Sequence, residues 1–567
     1  MSRLVKKSPS VCTDLPLDTT DSWKKLRVLL QLLKSCFGPK GRLKLLHNSI
    51  GGHVVTTSTS SVLLSAISSS LPLINLIKTS ILNHVGRFGD CGLFAAIFCL
   101  TLIEQSRQSG LRGRAAAQLN KHLLDLCTVY LRQEDCGCKM ELGFNSSHNL
   151  TTLASSIISS KPACVLTQSE VLHMSKLSVQ AFLLTVPCSS TGVKLGETVT
   201  VPVEGPPVKH SAVFPGLLVD MPDLLSLDKA KRPHLRPLRA VVFSASLAGD
   251  LSDTGDGVIE VHEGEDTDSQ ILDRLLELGK QVVEDEVKLF VCQKVVHPVL
   301  QQYLRRQDVL VVERLGVALM EPLLQLTGAN PVATLHTPVP AEAYGTVHDL
   351  GIRQFGSKKM LHLLPAGESS ICTMMLCHRN ATVLSELKVV CQNTEHVLRL
   401  TLRDPYILLG GGCTETHLAT YVRHKVSGQL TETAAALGCS QEECLLGLEG
   451  FCRSLQSVAM ALEHDGGSSA MDLTHAHHWI LPADVMREEV EDTLGPCSCG
   501  LVEGGPNKPK TYLSTKTPAF SPGPPCADAM AQPRVLDSFT AKINALQVAV
   551  ETANLALDVR FVIQDMN

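Results

Sequence analysis

The apolar period changes twice along this chain, and those changes limit the folds open to it more than any single motif does. Stretches 26–36, 93–105 and 115–131 place apolar side chains at helical spacing, separated by Gly, Pro and Ser. Between 201 and 335 the pattern turns α/β: short runs rich in β-branched residues (216–219, 240–243, 289–292, 309–312) alternate with helical runs at 270–283 and 299–306. After Leu384 helical spacing returns. It ends in a predicted helix over 540–563, where Ile543, Leu546, Val550, Ala553 and Leu557 form one apolar stripe. Helical ends around an α/β centre imply one domain built from both termini and interrupted by another.

Composition narrows the class. With 567 residues, 44% hydrophobic and 19% charged, the chain is globular, and at roughly 100–200 residues per domain it holds about three to five domains. A net charge of -5 excludes a basic nucleic-acid-coating protein, and 4% aromatic residues supply few base-stacking platforms, so no nucleic-acid partner is expected. The longest apolar run, 91–103, stops at Glu104, short of the ~18 residues that a membrane span needs. It reads as a buried helix, with no direct membrane insertion. The residues up to Trp23 carry no stretch resembling a signal peptide, so the 20 cysteines are expected to stay reduced in the cytoplasm.

Several motifs are weak on inspection. Cys136/Cys138 and Cys497/Cys499 are Cys-x-Cys pairs, a poor zinc spacing, and read as small buried or loop thiols. Asp253-Thr254-Gly255 has the aspartic-protease tripeptide in a single copy, whereas that chemistry needs two carboxylates, so a solvated turn is expected. His475, His477 and His478 lack a metalloprotease spacing. The stretch 192–198 is one residue short of a P-loop and carries an acid where the lysine belongs. Residues 495–534 hold 8 Pro and 5 Gly and read as a surface loop.

Three glycine turns carry more. Gly38-Pro39-Lys40-Gly41 follows a helical run and precedes Lys44, which sets backbone amides and two lysines near an anion. Gly89-Asp90-Cys91-Gly92 precedes the buried helix, and Asp90 offers an oxygen ligand to Mg²⁺. Gly410-Gly411-Gly412 opens another helical run with bare backbone. Any one of these alone is more often a structural turn.

In order and surroundings these turns resemble the group II chaperonin family. Cys36 to Gly41 with Lys44 is similar to that family's first phosphate loop, and Phe88-Gly89-Asp90 to its Gly-Asp-Gly-Thr-Thr element. Cys292-Gln293-Lys294, Tyr303-Leu304, Glu321 and Thr327-Gly328-Ala329 are similar to its apical domain; Gly410 to Gly412 and 541–563, with Glu551 and Ala553, resemble its closing segments. The resemblance implies a multidomain architecture: a mostly helical equatorial domain (1–148 and 405–567), a small α/β intermediate hinge domain (149–204 and 356–404) and an α/β apical, substrate-binding domain (205–355). It implies ATP and Mg²⁺ as ligands, with Gly38, Pro39, Gly41, Asp90, Lys161, Gly410, Gly411 and Gly412 as candidate nucleotide-binding residues and Asp90 as the metal ligand. Lys161, in Ser159-Ser160-Lys161, matches the family lysine near the γ-phosphate. No client-binding residue is assigned.

The departures shape the functional expectation. Thr57-Ser58-Thr59-Ser60-Ser61 stands where the family has Asn-Asp-Gly-Ala-Thr, and Cys91, Gly92 and Leu93 replace Gly-Thr-Thr. Asn393 stands where the family has its hydrolytic Asp, and an amide does not take the attacking water's proton. Arg560 and Phe561 take the place of an acidic pair. The leading expectation is a chaperonin-like folding and assembly factor with ATP hydrolysis lost. It would act with other Bardet-Biedl chaperonin-like proteins and cytosolic chaperonin subunits, with BBSome subunits as clients, at the centrosome or ciliary basal body. The alternative is an ATP-hydrolysing chaperonin subunit that folds client proteins.

Overall fold

The computed structural model describes residues 11–47, 54–134, 136, 138–187, 195–220, 237–249, 267–334, 338–356, 358–365, 370–462, 480–481, 513–514 and 535–564. Asp253-Thr254-Gly255, the histidines at 475, 477 and 478, Cys497/Cys499, the 495–534 segment apart from two residues and the first three residues of the 192–198 stretch lie outside them. The chain divides into two compact units, one formed by Met1–Val179 with Ser385–Asn567 and the other by Gln180–Leu384.

The first unit is built around the helix Gly92–Gln108, whose residues from Gly92 to Ile103 are all buried. A helix apolar all round needs a complete jacket. Helices Thr20–Lys34, Pro72–Phe88, Gln441–Met460 and Phe539–Asp558 supply it. Phe98 meets Phe451 edge-on at 5.6 Å inside this core. Three short strands, Lys139–Glu141, Tyr406–Leu409 and Leu536–Ser538, form an antiparallel sheet beside the helices. Among the described residues no helix is long and apolar enough to cross a membrane.

The carboxyl-terminal helix is shorter than its sequence suggests. It spans Phe539–Asp558, not 540–563: Val559 turns extended (ψ 114°), and Phe561–Gln564 becomes a strand antiparallel to Val11–Asp14. The run Phe561-Val562-Ile563 favours a strand once a pairing edge is present. Arg560, just before that strand, lies 3.8 Å from Asp14.

The second unit carries a six-stranded mixed sheet in the order Leu310–Val312, Val287–Cys292, Leu238–Phe243, Tyr344–Phe355, Lys358–Pro365, Leu217–Asp220. The first three strands are parallel and covered on both faces, which is why 240–243 and 289–292 read as continuous apolar runs. Val241, Phe243, Phe290 and Cys292 pack with helices Thr267–Glu284 and Pro298–Arg306; Ala240, Val242, Leu289 and Val291 pack with helix Val317–Thr327. A smaller sheet sets Cys372–His378 between Thr198–Glu204 and Ala212–Pro215.

Candidate functional site

Four turns of the first unit converge on one cavity, and each has a local reason for its shape. Helix Thr20–Lys34 stops at Ser35, and the following loop folds back through hydrogen bonds from Gly41 N–H to Gly38 O (3.0 Å) and from Arg42 N–H to Ser35 O (2.7 Å). Gly38 has φ +77°, and a Cβ on Gly41 would stand 2.4 Å from Cys36 O, so the reversal requires both glycines.

The second turn ends helix Pro72–Phe88. Gly89 takes φ +73° and Cys91 φ 60°, two left-handed residues flanking Asp90. Cys91 thus holds a left-handed backbone that glycine adopts most readily. The buried His84 holds this turn from below: one ring nitrogen lies 2.9 Å from Asp90 O and the other 2.8 Å from Asn544 Oδ1.

The third turn follows strand Tyr406–Leu409. Gly410 N–H donates to Val535 O at 3.0 Å, while Gly411 (φ 67°) and Gly412 (φ 87°) lead into helix Cys413–Gly428. The fourth follows helix Ser147–Ser159, where Lys161 N–H donates to Ile158 O before the 3₁₀ turn Pro162–Cys164.

Together they line a cavity of about 220 Å³. Of the residues expected from sequence, Gly38, Pro39, Asp90, Lys161, Gly411 and Gly412 line it, and Lys40 does too. Gly41 and Gly410 do not; they hold the turns from behind. Asn393, on helix Ala381–Leu400, places its backbone oxygen 3.4 Å from where a Cβ on Gly89 would stand, so it adjoins the turn that carries Asp90 without lining the cavity.

Three lining residues escaped the sequence reading. Lys542 is buried, with Nζ 2.5 Å from Glu415 Oε1, 2.8 Å from Asp537 Oδ2 and 4.1 Å from the Phe94 ring centre. Burial alone would lower its pKa; the charges of Asp537 and Glu415 overcome that and hold it well above the usual lysine range. Glu415 Oε2 has no hydrogen-bond partner among the described residues, which leaves a buried acceptor in the cavity wall. No motif announces this trio, because a pair 127 residues apart leaves no local spacing to read.

Glu386 was also missed, and it redefines the Thr57 segment. Its buried carboxylate accepts hydrogen bonds from Thr57 Oγ1 (2.9 Å), from Ser58 N–H (2.9 Å) and Oγ (3.3 Å), and from Thr59 N–H (3.0 Å) and Oγ1 (2.7 Å). Ser58 Oγ in turn accepts from Ala163 N–H, beside the Lys161 turn. These hydroxyls serve a buried acid.

The site's chemistry follows from this inventory. Left-handed glycine turns and lysines near one cavity favour an anionic ligand such as a phosphate chain. Asp90 fits a divalent metal, and the orphan Glu415 oxygen fits a ligand's donor or the metal's hydration shell. Among the described lining residues the other two carboxylates, Glu415 and Asp537, both pair with Lys542 through one oxygen. Among the described residues no group of three or more His, Cys, Asp and Glu is placed to hold a metal by itself.

The TCP-1/cpn60 chaperonin family matches residues 29–567. The chain is 44% identical over 572 residues to Molecular chaperone MKKS of Homo sapiens and likewise to that of Mus musculus, covering all of each chain. It is 22% identical over 456 residues to Thermosome subunit 1 of Haloferax volcanii, across 79% of this chain and 76% of that one. With the family match running over residues 29–567 and the full-length identity to these relatives, the chain belongs to the TCP-1/cpn60 chaperonin family.

Proposed function

We propose that this chain is a chaperonin-like folding and complex-assembly factor that retains the cradle for a nucleotide and has lost efficient ATP hydrolysis. The observation that carries the reading is Asn393 beside the Gly89-Asp90 turn, an amide where the family has the acid that receives the water's proton. Cys91, Gly92 and Leu93 add no hydroxyl toward a phosphate. ATP, where it binds, is held by the glycine turns, Lys40 and Lys161; Mg²⁺, held by Asp90, would offset phosphate charge.

The work is then done through protein contacts. The chain acts with other Bardet-Biedl chaperonin-like proteins and with cytosolic chaperonin subunits, and its clients are unfinished BBSome subunits, in the cytoplasm at the centrosome or basal body during cilium biogenesis. Full-length identity to proteins called molecular chaperones supports the folding role. Two exposed ribbons support the partner role. The hairpin Lys44–His47 with Val54–Thr57 exposes Leu45 and Val54, and the pair Val11–Asp14 with Phe561–Gln564 exposes Phe561 and Ile563.

The test is nucleotide binding and phosphate release by the purified full-length chain, with and without Mg²⁺, beside an active group II chaperonin, together with recovery of partners by pull-down. The expected result is background phosphate release with chaperonin-like chains or BBSome subunits recovered. Mg²⁺-dependent release abolished by Asp90→Ala would overturn the loss of hydrolysis in favour of an ATP-hydrolysing subunit. Recovery of neither partner class would overturn the assembly role.

A further inference from the structure

Beside the strand that leads into the triple glycine lies a pair of thiols that the nucleotide site does not use. Cys136 and Cys138 are 3 % and 0 % exposed, and their Sγ atoms are 3.5 Å apart. Lys139 N–H donates to Cys136 O at 3.1 Å, closing a turn that sets both sulfurs on one side, and Lys139 then opens the strand Lys139–Glu141. The Cys136 thiol also meets the Tyr130 hydroxyl, whose oxygen is 2.7 Å from His417 Nε2. Tyr130 is clamped by Tyr421, stacked at 3.9 Å.

This surrounding makes the two thiols unequal. The hydrogen bond from Cys138 favours a Cys136 thiolate; burial opposes it, and Lys139 and Tyr130 add to the bond, so that Cys136 is pulled down to about 7. Cys138 is pushed up by the same bond and by its burial. Elsewhere burial raises the thiols of Cys99 and, together with its neighbour Cys452, Cys127. A thiolate with a second thiol at van der Waals distance is the arrangement of an attacking and a resolving cysteine.

We propose that Cys136 and Cys138 are a reversible oxidation site, closing to a disulfide with hydrogen peroxide as oxidant and Cys136 as the attacking sulfur. The Cys136 thiolate attacks one peroxide oxygen; the O–O bond breaks, and the departing hydroxide takes up the proton that Cys136 gave away, becoming water. Cys138 sulfur then bonds to the Cys136 sulfenic sulfur as its S–O bond breaks, and that hydroxide leaves as water with the Cys138 proton. Two thiols lose two electrons, peroxide gains two, and two waters form. Tyr130, backed by His417, is a positioning residue that stabilises the thiolate by hydrogen bonding.

The bridge would be felt at the cavity. Cys138 O accepts from Leu409 N–H at 3.0 Å, and Leu409 O accepts from Thr414 Oγ1 at 2.7 Å, across the three glycines. Closing the Cys-x-Cys turn therefore pulls on the residue that precedes Gly410.

Trypsin releases both cysteines in one peptide, 133–139, which has no other cysteine. The full-length chain is exposed to peroxide, unfolded, alkylated with N-ethylmaleimide and digested. The expected peptide is lighter by two hydrogens and has lost both alkylation sites, and both return after dithiothreitol. Cys138→Ser is expected to trap a dimedone adduct on Cys136. Full alkylation of both thiols under conditions that oxidise the exposed Cys12 would overturn the proposal. So would a dimedone adduct on Cys138 in Cys136→Ser with none on Cys136 in Cys138→Ser.

Discussion

Lys542 reaches Glu415 with 2.5 Å between Nζ and Oε1, and both side chains are at least 95 % buried in the wall of the glycine-lined cavity. Removing one partner of such a pair strands the other charge in a low-dielectric setting. Lys542→Met keeps the volume and loses the cation, and we expect a loss of about 3–5 kcal/mol in guanidinium unfolding. Because the folded pKa of Lys542 lies above its unfolded value, its contribution is complete below the ordinary lysine pKa and fades only as pH rises through the folded value. The loss should therefore be the same at pH 6 and pH 8; a loss below about 1 kcal/mol would show that the pair is dispensable.

Glu386 offers a second structural test. Its carboxylate satisfies five donors from Thr57, Ser58 and Thr59. Glu386→Ala leaves four of them buried without that acceptor, Thr59 N–H keeping Thr57 Oγ1, so the cost should exceed about 3 kcal/mol by chemical denaturation. Glu386→Gln, which keeps one carbonyl oxygen, should lose less. Equal stability of the alanine variant and the parent would show that water replaces the carboxylate.

Asn393→Asp tests the proposed loss of hydrolysis. The acid would return beside the Gly89-Asp90 turn, but Cys91, Gly92 and Leu93 would still offer no hydroxyl. We expect Mg²⁺-dependent phosphate release to stay at background. A gain on the order of 10-fold or more would mean that one amide had silenced an otherwise competent pocket.

His362 makes the second unit sensitive to acid. Burial lowers its pKa more than the hydrogen bond to Pro215 O (2.7 Å) and the charge of Asp349 raise it, with Arg353 adding to the lowering. The unfolded chain then takes up a proton at about pH 6.5, before the folded one does, so stability is full above that pH and falls as pH drops toward the folded value. The protection of strand Lys358–Pro365 against hydrogen exchange, taken relative to the intrinsic rate at each pH, should fall between pH 7 and pH 5. His362→Gln should flatten that dependence; an unchanged slope would place the titrating group elsewhere.

How much of this was legible in the sequence depended on the range of the interaction. Helix Gly92–Gln108 could be read because burial on every side leaves an unbroken apolar run, and the parallel strands could be read for the same reason. The end of the last helix could not, since the strand 561–564 exists only through its pairing with residues 11–14. In the site, the glycine turns were visible because positive φ and tight reversal leave a residue signature, whereas Glu415, Asp537 and Lys542 are ordinary residues made special by distant neighbours. Asn393 was found only by counting back from Gly410 along a resembling pattern, and its place next to Gly89 is a tertiary fact. The Thr57 segment looked like the remnant of a ligand loop because nothing local points to Glu386.

The division of the first unit between the two ends of the chain also bears on how the protein is made. Residues 180–384 are contiguous, so the second unit can close while the ribosome is still translating the stretch beyond Leu384. The first unit must wait: helix Gly92–Gln108 is translated before the second unit, yet the helix Phe539–Asp558 that completes its jacket is translated only after it. Until that helix emerges, the chain displays the apolar surface of an unfinished helix bundle, the kind of surface that folding helpers shield.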